Sequence, residues 1–322
     1  MKTTHPALAH FLAAATLLVS LLLISGAAAQ QGPQKPPAPP RGQQPPQIRV
    51  EVNLVNVLAS VLDKNGRPVV GLPQDAFEIY EEGVKQKILI FEPETQQPLD
   101  LALMIDSSLS TLKELGFEKD AAAHFVHQVV RPVDRLAVFE FSDDIIQLTS
   151  FSHDVAFLQA GVRRIEPGAG TALYDAVYLG SQALGRLGGD RRRVIVLVTD
   201  AGETTSRADF DSARRAALRA DTLLYTILIR PVKTESGRNT AGEHALETIA
   251  DTTGGAIYSP DTLAQLDAIF DQVDRELRTQ YRLGYYPDPP PPRQSFRRIE
   301  VRVKGDYLLH YRKGYYSQGS VE

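Results

Sequence analysis

The stretch LALMIDSSLST, residues 101–111, decides how the rest of the chain is read. Its first five residues are apolar without a polar break. A strand with one wet face alternates, whereas a continuous apolar run marks a strand with both faces covered, as in a parallel sheet under helices. The run stops at Asp106, followed by hydroxyls at Ser107, Ser108 and Ser110. An acid and hydroxyls where a buried strand ends leave open a nucleophile, a phosphate cradle, a metal site or a helix cap, the last a common use of Ser.

Outward from that strand, helical and strand signals alternate over residues 98–279. Helical periodicity covers 114–130, 174–187, 210–220, 241–252 and 263–278. Strand-like runs cover 135–141, 145–151, 193–199, 223–229 and 256–258, and RVIVLVT (193–199) is as continuously apolar as the opening stretch. Repeated β-α units of this kind predict a doubly wound, mostly parallel α/β sheet. The S142-D-D144 turn between two strand runs predicts a hairpin, hence one antiparallel edge strand.

The flanks are β-rich. Ile48, Val50, Val52 and Leu54 alternate with polar residues; the phase then slips at Val55 and Val57, as a bulge or a doubly buried strand would make it. Turn signals at Asn65-Gly66 and Glu82-Gly83 punctuate the rest of 48–97. After residue 280, strand runs recur at 281–286, 298–303 and 308–316. Each flank alone has too few strands for an independent core. Together they predict a β-sandwich-like module, completed across the α/β domain by 48–97 and 280–317. The tyrosines of the tail read as half-buried strand residues.

The N-terminus predicts export. Lys2, a mostly apolar run over 11–24 and Ala27-Ala28-Ala29-Gln30 form the pattern of a signal peptide spanning 1–29. That run is shorter than the roughly 20 residues of a membrane span, so no span is expected in the mature chain. Residues 30–47, rich in Pro and Gln, read as an extended linker. A net charge of -4 gives no support for nucleic-acid binding, and no nucleic-acid partner is expected. With no cysteine, disulfides, thiolate zinc sites and a Cys nucleophile are excluded.

In an open α/β sheet, ligands bind beyond the carboxyl ends of the strands. Three segments reach that edge: Asp106 to Ser110, the Gly-containing loop G168-A-G-T-A-L-Y-D175, and T199-D-A-G-E-T204. Asp106 and Asp200 end two buried strands expected to be neighbours, and close like charges call for a cation or a proton between them. Ser108, Ser110 and Thr171 add neutral oxygens. An all-oxygen set with two carboxylates suits Mg²⁺, or Mn²⁺ or Ca²⁺, with waters completing the shell.

These residues resemble the metal-ion-dependent adhesion site of von Willebrand factor type A domains: Asp-x-Ser-x-Ser at 106–110, Thr171 in a Gly-containing loop, and Asp200 after an apolar strand. The segments GTALYDA (170–176) and VIVLVTD (194–200) are similar to that family too. The flanking VLDKNGRPVVGL (61–72), DAFEIYEEGVKQ (75–86), QYRLGYY (280–286) and RKGYY (312–316) resemble exported bacterial proteins of the acidobacterial type. The resemblance implies Asp106, Ser108, Ser110, Thr171 and Asp200 as ligands of Mg²⁺. It also implies an open position taken by an Asp or Glu carboxylate of a protein partner. One departure is Ala201 where the family often has Gly after the acid, with Gly202 one position later.

Plainer roles compete at single positions. Ser108 or Ser110 can cap the next helix. Asp175 reads as a first-turn acid favoured by the helix dipole, Glu203 as a solvated loop residue, and Arg191-Arg192-Arg193 as a solvated cluster. His124 and His127 lack the remainder of a zinc motif. Catalysis finds no G-x-S-x-G elbow and no P-loop Lys. The expectation is an exported, non-enzymatic, cation-dependent protein-binding or adhesion module; the alternatives are an envelope scaffold with a non-functional site and a metal-dependent hydrolase.

Overall fold

Val55, Val57, Ala59 and Val61 point to one side of β1 (Val55–Leu62) and are buried. The opposite side is covered as well, since Leu58 packs on the α/β core and Ser60 is buried. Within the described part of the strand both faces are thus covered, and the pairing register runs unbroken through residues 55–59. β2 (Phe77–Glu81) and β3 (Val84–Gln86) form a hairpin. Its turn residues Glu82 and Gly83 take φ of 48° and 82°, the left-handed backbone that a two-residue hairpin needs. β4 (Ile90–Glu92) ends this flank.

The computed structural model of the chain describes residues 54–229, 239–292 and 294–317, which belong to one compact unit, Val50–Glu322. The signal-peptide and linker readings, and residues 48–53 of the first strand, lie outside the described residues.

The α/β part runs β5 (Leu99–Asp106), α1 (Leu115–Val129), β6 (Arg135–Phe141), β7 (Ile145–Gln147), α2 (Val155–Arg163), α3 (Leu173–Gly185), β8 (Arg192–Thr199), α4 (Phe210–Arg219), β9 (Thr222–Leu228), α5 (Thr240–Thr253), β10 (Ile257–Tyr258) and α6 (Leu266–Arg278). Its sheet has the order β10-β9-β8-β5-β6-β7, parallel except for β7. β5 lies at its middle, with all eight residues buried. Leu101, Leu103 and Ile105 face α1, α2 and α6, while Ala102 and Met104 face α3, α4 and α5. The unbroken apolar run thus serves two cores. α2 lies beyond the predicted 145–151 strand run, in a stretch where the sequence pattern predicted no element. Asp154 caps it by accepting from the Phe157 amide at 3.1 Å, and Leu158 and Val162 bury its apolar stripe.

The tail supplies β11 (Tyr281–Tyr285), β12 (Phe296–Val303), β13 (Leu308–Tyr311) and β14 (Gly314–Tyr316). These strands interleave with the first flank into sheets of order β13-β1-β11-β4 and β14-β12-β2-β3, which share one apolar core. The predicted single strand over 308–316 is two, broken at Arg312 and Lys313 where the chain changes sheets. Tyr281 and Tyr285 are fully buried rather than half-buried. Their hydroxyls donate to Val69 O at 2.9 Å and to Glu81 Oε2 at 2.7 Å.

The arginine cluster is not a solvated patch. Arg191 Nε and Arg135 Nη2 grip the buried Asp100 at 2.6 and 2.7 Å. Arg192 is 3 % exposed and donates to Gln97 O at 2.8 Å, to Gln280 Oε1 at 3.2 Å and to Leu277 O. Burial pushes its guanidinium down to about 10. These arginines hold the sheet's amino edge to the points where the chain enters and leaves the α/β part, and Thr95 N donates to Gln280 O there at 2.9 Å.

Candidate metal centre

Parallel pairing of β5 with β8, Ile105 opposite Val198, brings Asp106 and Asp200 to one edge of the sheet. Asp106 is fully buried. Its Oδ1 accepts from the Ser108 amide at 3.0 Å and its Oδ2 from Thr199 Oγ1 at 2.6 Å. An ionised carboxylate has about four acceptor sites, so these bonds leave capacity unused. Burial pushes the Asp106 carboxyl up to about 6. The bonds from Ser108 and Thr199 oppose that rise, and the negative charge of Asp200 adds to it.

The two serines are not caps. α1 begins only at Leu115, and no side chain caps it. Instead Ser108 Oγ and Ser110 Oγ lie 2.9 Å apart and share a hydrogen bond. Thr111 Oγ1 closes the turn by donating to Asp106 O at 3.1 Å and Ser108 O at 3.0 Å. Ser107 N donates to Phe141 O at 2.9 Å, and Ser107 O accepts from Gly168 N at 2.8 Å. The first segment is thereby tied to β6 and to the Gly-containing loop.

Thr171 is held by exchange with the loop after β8: its amide donates to Thr204 Oγ1 at 2.9 Å, and its carbonyl accepts from Thr204 N at 2.9 Å. Gly202 marks the gap between the remaining two side chains. A Cβ there would stand 3.1 Å from Asp200 Oδ1 and 3.2 Å from Thr171 Oγ1. Asp200 Oδ1 accepts from Gly202 N at 2.9 Å. Ala201, the departure from the family pattern, takes φ 62° although it carries a methyl group, so the loop keeps a left-handed turn at that position.

Two acids brace this edge: Asp175 sits in the first turn of α3, as expected, whereas Glu203 is tied into the loop rather than solvated. Asp175 accepts from Arg207 N at 3.0 Å and Ala208 N at 2.8 Å, tying α3 to the β8–α4 loop. Glu203 accepts from Tyr174 N at 3.1 Å and from Ser206 N at 2.9 Å. Thr199, which orients Asp106, was passed over; a hydroxyl directly preceding the strand-end acid was the available signal. Among the described residues, no three acidic or imidazole side chains converge on one point as a metal cluster. A cation here would draw on two carboxylates and three hydroxyls. That set suits a hard ion, and the desolvated Asp106 with spare acceptor capacity fits a positive charge beside it.

Comparison with known proteins bears on the same residues. The family model described as von Willebrand factor type A domain matches residues 101–203. A search of curated proteins finds no match. Among solved structures, a von Willebrand factor type A protein from Catenulispora acidiphila superposes with a TM-score of 0.50 at 11 % identity, covering 84 % of this chain and 75 % of that one. BatB from Bacteroides thetaiotaomicron gives 0.45 at 17 % identity, over 55 % of this chain and 98 % of that one. The pilus adhesin SpaC from Lactobacillus rhamnosus GG gives 0.48 at 9 % identity, over 80 % and 48 %. Among the described residues, no helix is long and apolar enough to cross a membrane. The family match lies on the strand-end segments, so residues 101–203 of this chain are similar to a von Willebrand factor type A domain.

Proposed function

We propose that this protein is an exported, divalent-cation-dependent protein-binding or adhesion module. Asp106, Ser108, Ser110, Thr171 and Asp200 would hold Mg²⁺, or Mn²⁺ or Ca²⁺, and the partner would offer an Asp or Glu carboxylate. One observation carries the reading: two strand-end carboxylates and three hydroxyls are delivered to one sheet edge by three interlocked loops. Once bound, such an ion supplies a fixed positive charge able to take an acidic side chain from outside.

The chain's own residues do the rest. Thr199 and the Ser108 amide orient Asp106. Thr204 fixes the Thr171 backbone and leaves its hydroxyl at the Gly202 gap. Leu109 and Leu112, 59 % and 47 % exposed on the loop that carries the serines, offer apolar contact beside the charge, which favours a protein partner over a small anion. Export rests on the N-terminal sequence pattern.

Capture of partners from the native envelope, in Mg²⁺ or in EDTA, tests this. Wild type should retain a partner in Mg²⁺ and release it in EDTA, and Asp106→Ala should retain none in either. Equal capture in all arms would sink the proposal and leave the β surfaces as the contact.

A further inference from the structure

Glu118 lies on the inner face of α1, 1 % exposed, and neither of its carboxyl oxygens has a hydrogen-bond partner among the described residues. Buried carboxyls are normally paired, because an unpartnered one forfeits its hydration without return. The charges Glu118 feels make matters worse: they are those of Asp106, Glu114 and Asp200, all negative. A residue kept only for packing on this face would be apolar, like its neighbours Ala121, Ala122 and Phe125. A protonated carboxyl is no remedy, since its hydroxyl would still lack an acceptor. What is missing around Glu118 is a positive charge or a polar bridge on the side of the two strand-end aspartates.

We infer that Glu118 is a third carboxylate of the cation centre, acting on the ion through an intervening water and orienting that water. Two observations set it at one remove. The three acids do not converge as a metal cluster among the described residues. Glu118 also interacts with Asp106 and Asp200 through charge rather than through a hydrogen bond. The consequence is a centre with three negative charges facing a divalent cation. This role rests on the cation reading above, and the experiment separates the two.

Calorimetric titration of the full chain with Mn²⁺ and Mg²⁺ should be run on wild type, Asp106→Ala, Glu118→Gln and Glu118→Met, with thermal unfolding of each in EDTA. Outer carboxylates of metal sites are typically worth about 10–100-fold in affinity. Glu118→Gln and Glu118→Met should therefore weaken ion binding by about that factor, while melting in EDTA at or above the wild-type temperature. Both Glu118 variants binding within two-fold of wild type, with Asp106→Ala inactive, would overturn the Glu118 role and leave the centre standing. Lower melting of both variants in EDTA with affinity intact would overturn it in favour of packing. Wild type binding neither ion would remove both readings.

Discussion

At the scale of single residues, the site edge is a place where burial works against charge. Glu118 has its carboxyl pushed up to about 9 by burial and by the acids around it, from an ordinary 4.5. Between those values the ion-free native state keeps a proton that the unfolded state releases, so stability falls as pH rises. Below about 4.5 both states hold the proton and the effect vanishes; above about 9 the loss is complete. In EDTA, the advantage of Glu118→Gln over wild type should grow by about 4 kcal/mol between pH 5 and pH 8, read from urea melts. A difference that stays constant over that range would contradict the burial of an orphan acid. Asp106, Ser108 and Ser110 were legible because their spacing is local. Glu118 was not, because one acid in a helical stretch looks solvated until the helix's inner face is known. Arg192 was misread for the same reason: a run of three arginines gives no sign that the middle one turns inward beneath Gln97 and Gln280.

At the scale of elements, close backbone approach fixes the site more than side-chain choice does. The first turn of α5 rests on the loop that carries Asp200: a Cβ on Gly242 would come within 2.0 Å of Ala201 O. Gly242→Ala should therefore cost about 1–3 kcal/mol and weaken cation binding, because α5 and the Asp200 loop must part. Gly116, in the first turn of α1, has nothing within 4 Å of its would-be Cβ. Gly116→Ala should be neutral or stabilising by up to about 1 kcal/mol. Thermal melts of the pair check both, and equal losses would refute the contact argument. Elements with strong periodicity, such as β5, β8 and α6, could be read directly. α2 was hidden because its nine residues follow a strand run closely, although Asp154 ahead of Val155, Leu158 and Val162 was a usable start signal. The split of the last strand could not be read, since RKGYY carries no break a periodicity scan detects.

At the scale of the whole molecule, the α/β part and the sandwich meet over a buried polar cluster. Glu276 on α6 is fully buried, with Tyr225 and Tyr258 hydroxyls donating to it at 3.0 and 2.7 Å and His310 Nδ1 of β13 at 2.8 Å. Burial pulls its carboxyl upward, but the bond and charge of His310 and the hydroxyl bonds outweigh that and hold it below the ordinary range. Removing the acid strands three polar partners, so Glu276→Leu should cost about 3–5 kcal/mol. Because the cluster spans both parts, denaturant unfolding of wild type should be one transition, and the variant should shift all of it. A variant that shifts only one of two separable transitions would show that the parts fold independently. The interleaving of flanks was inferable from strand counts alone, because neither flank had enough strands; the Glu276 junction was not, as its members lie on four elements far apart in sequence.

The hydrogen bond from Thr95 to Gln280 has a mechanical consequence. The chain enters and leaves the α/β part at one point, on the sheet edge opposite Asp106 and Asp200. Tension applied between the two ends of the described chain is carried through the antiparallel pairs β1–β11, β1–β13 and β12–β14, and bypasses the α/β part while those pairs hold. A load applied at the carboxyl ends of β5 and β8 instead travels lengthwise down those strands, loading their neighbour bonds in shear.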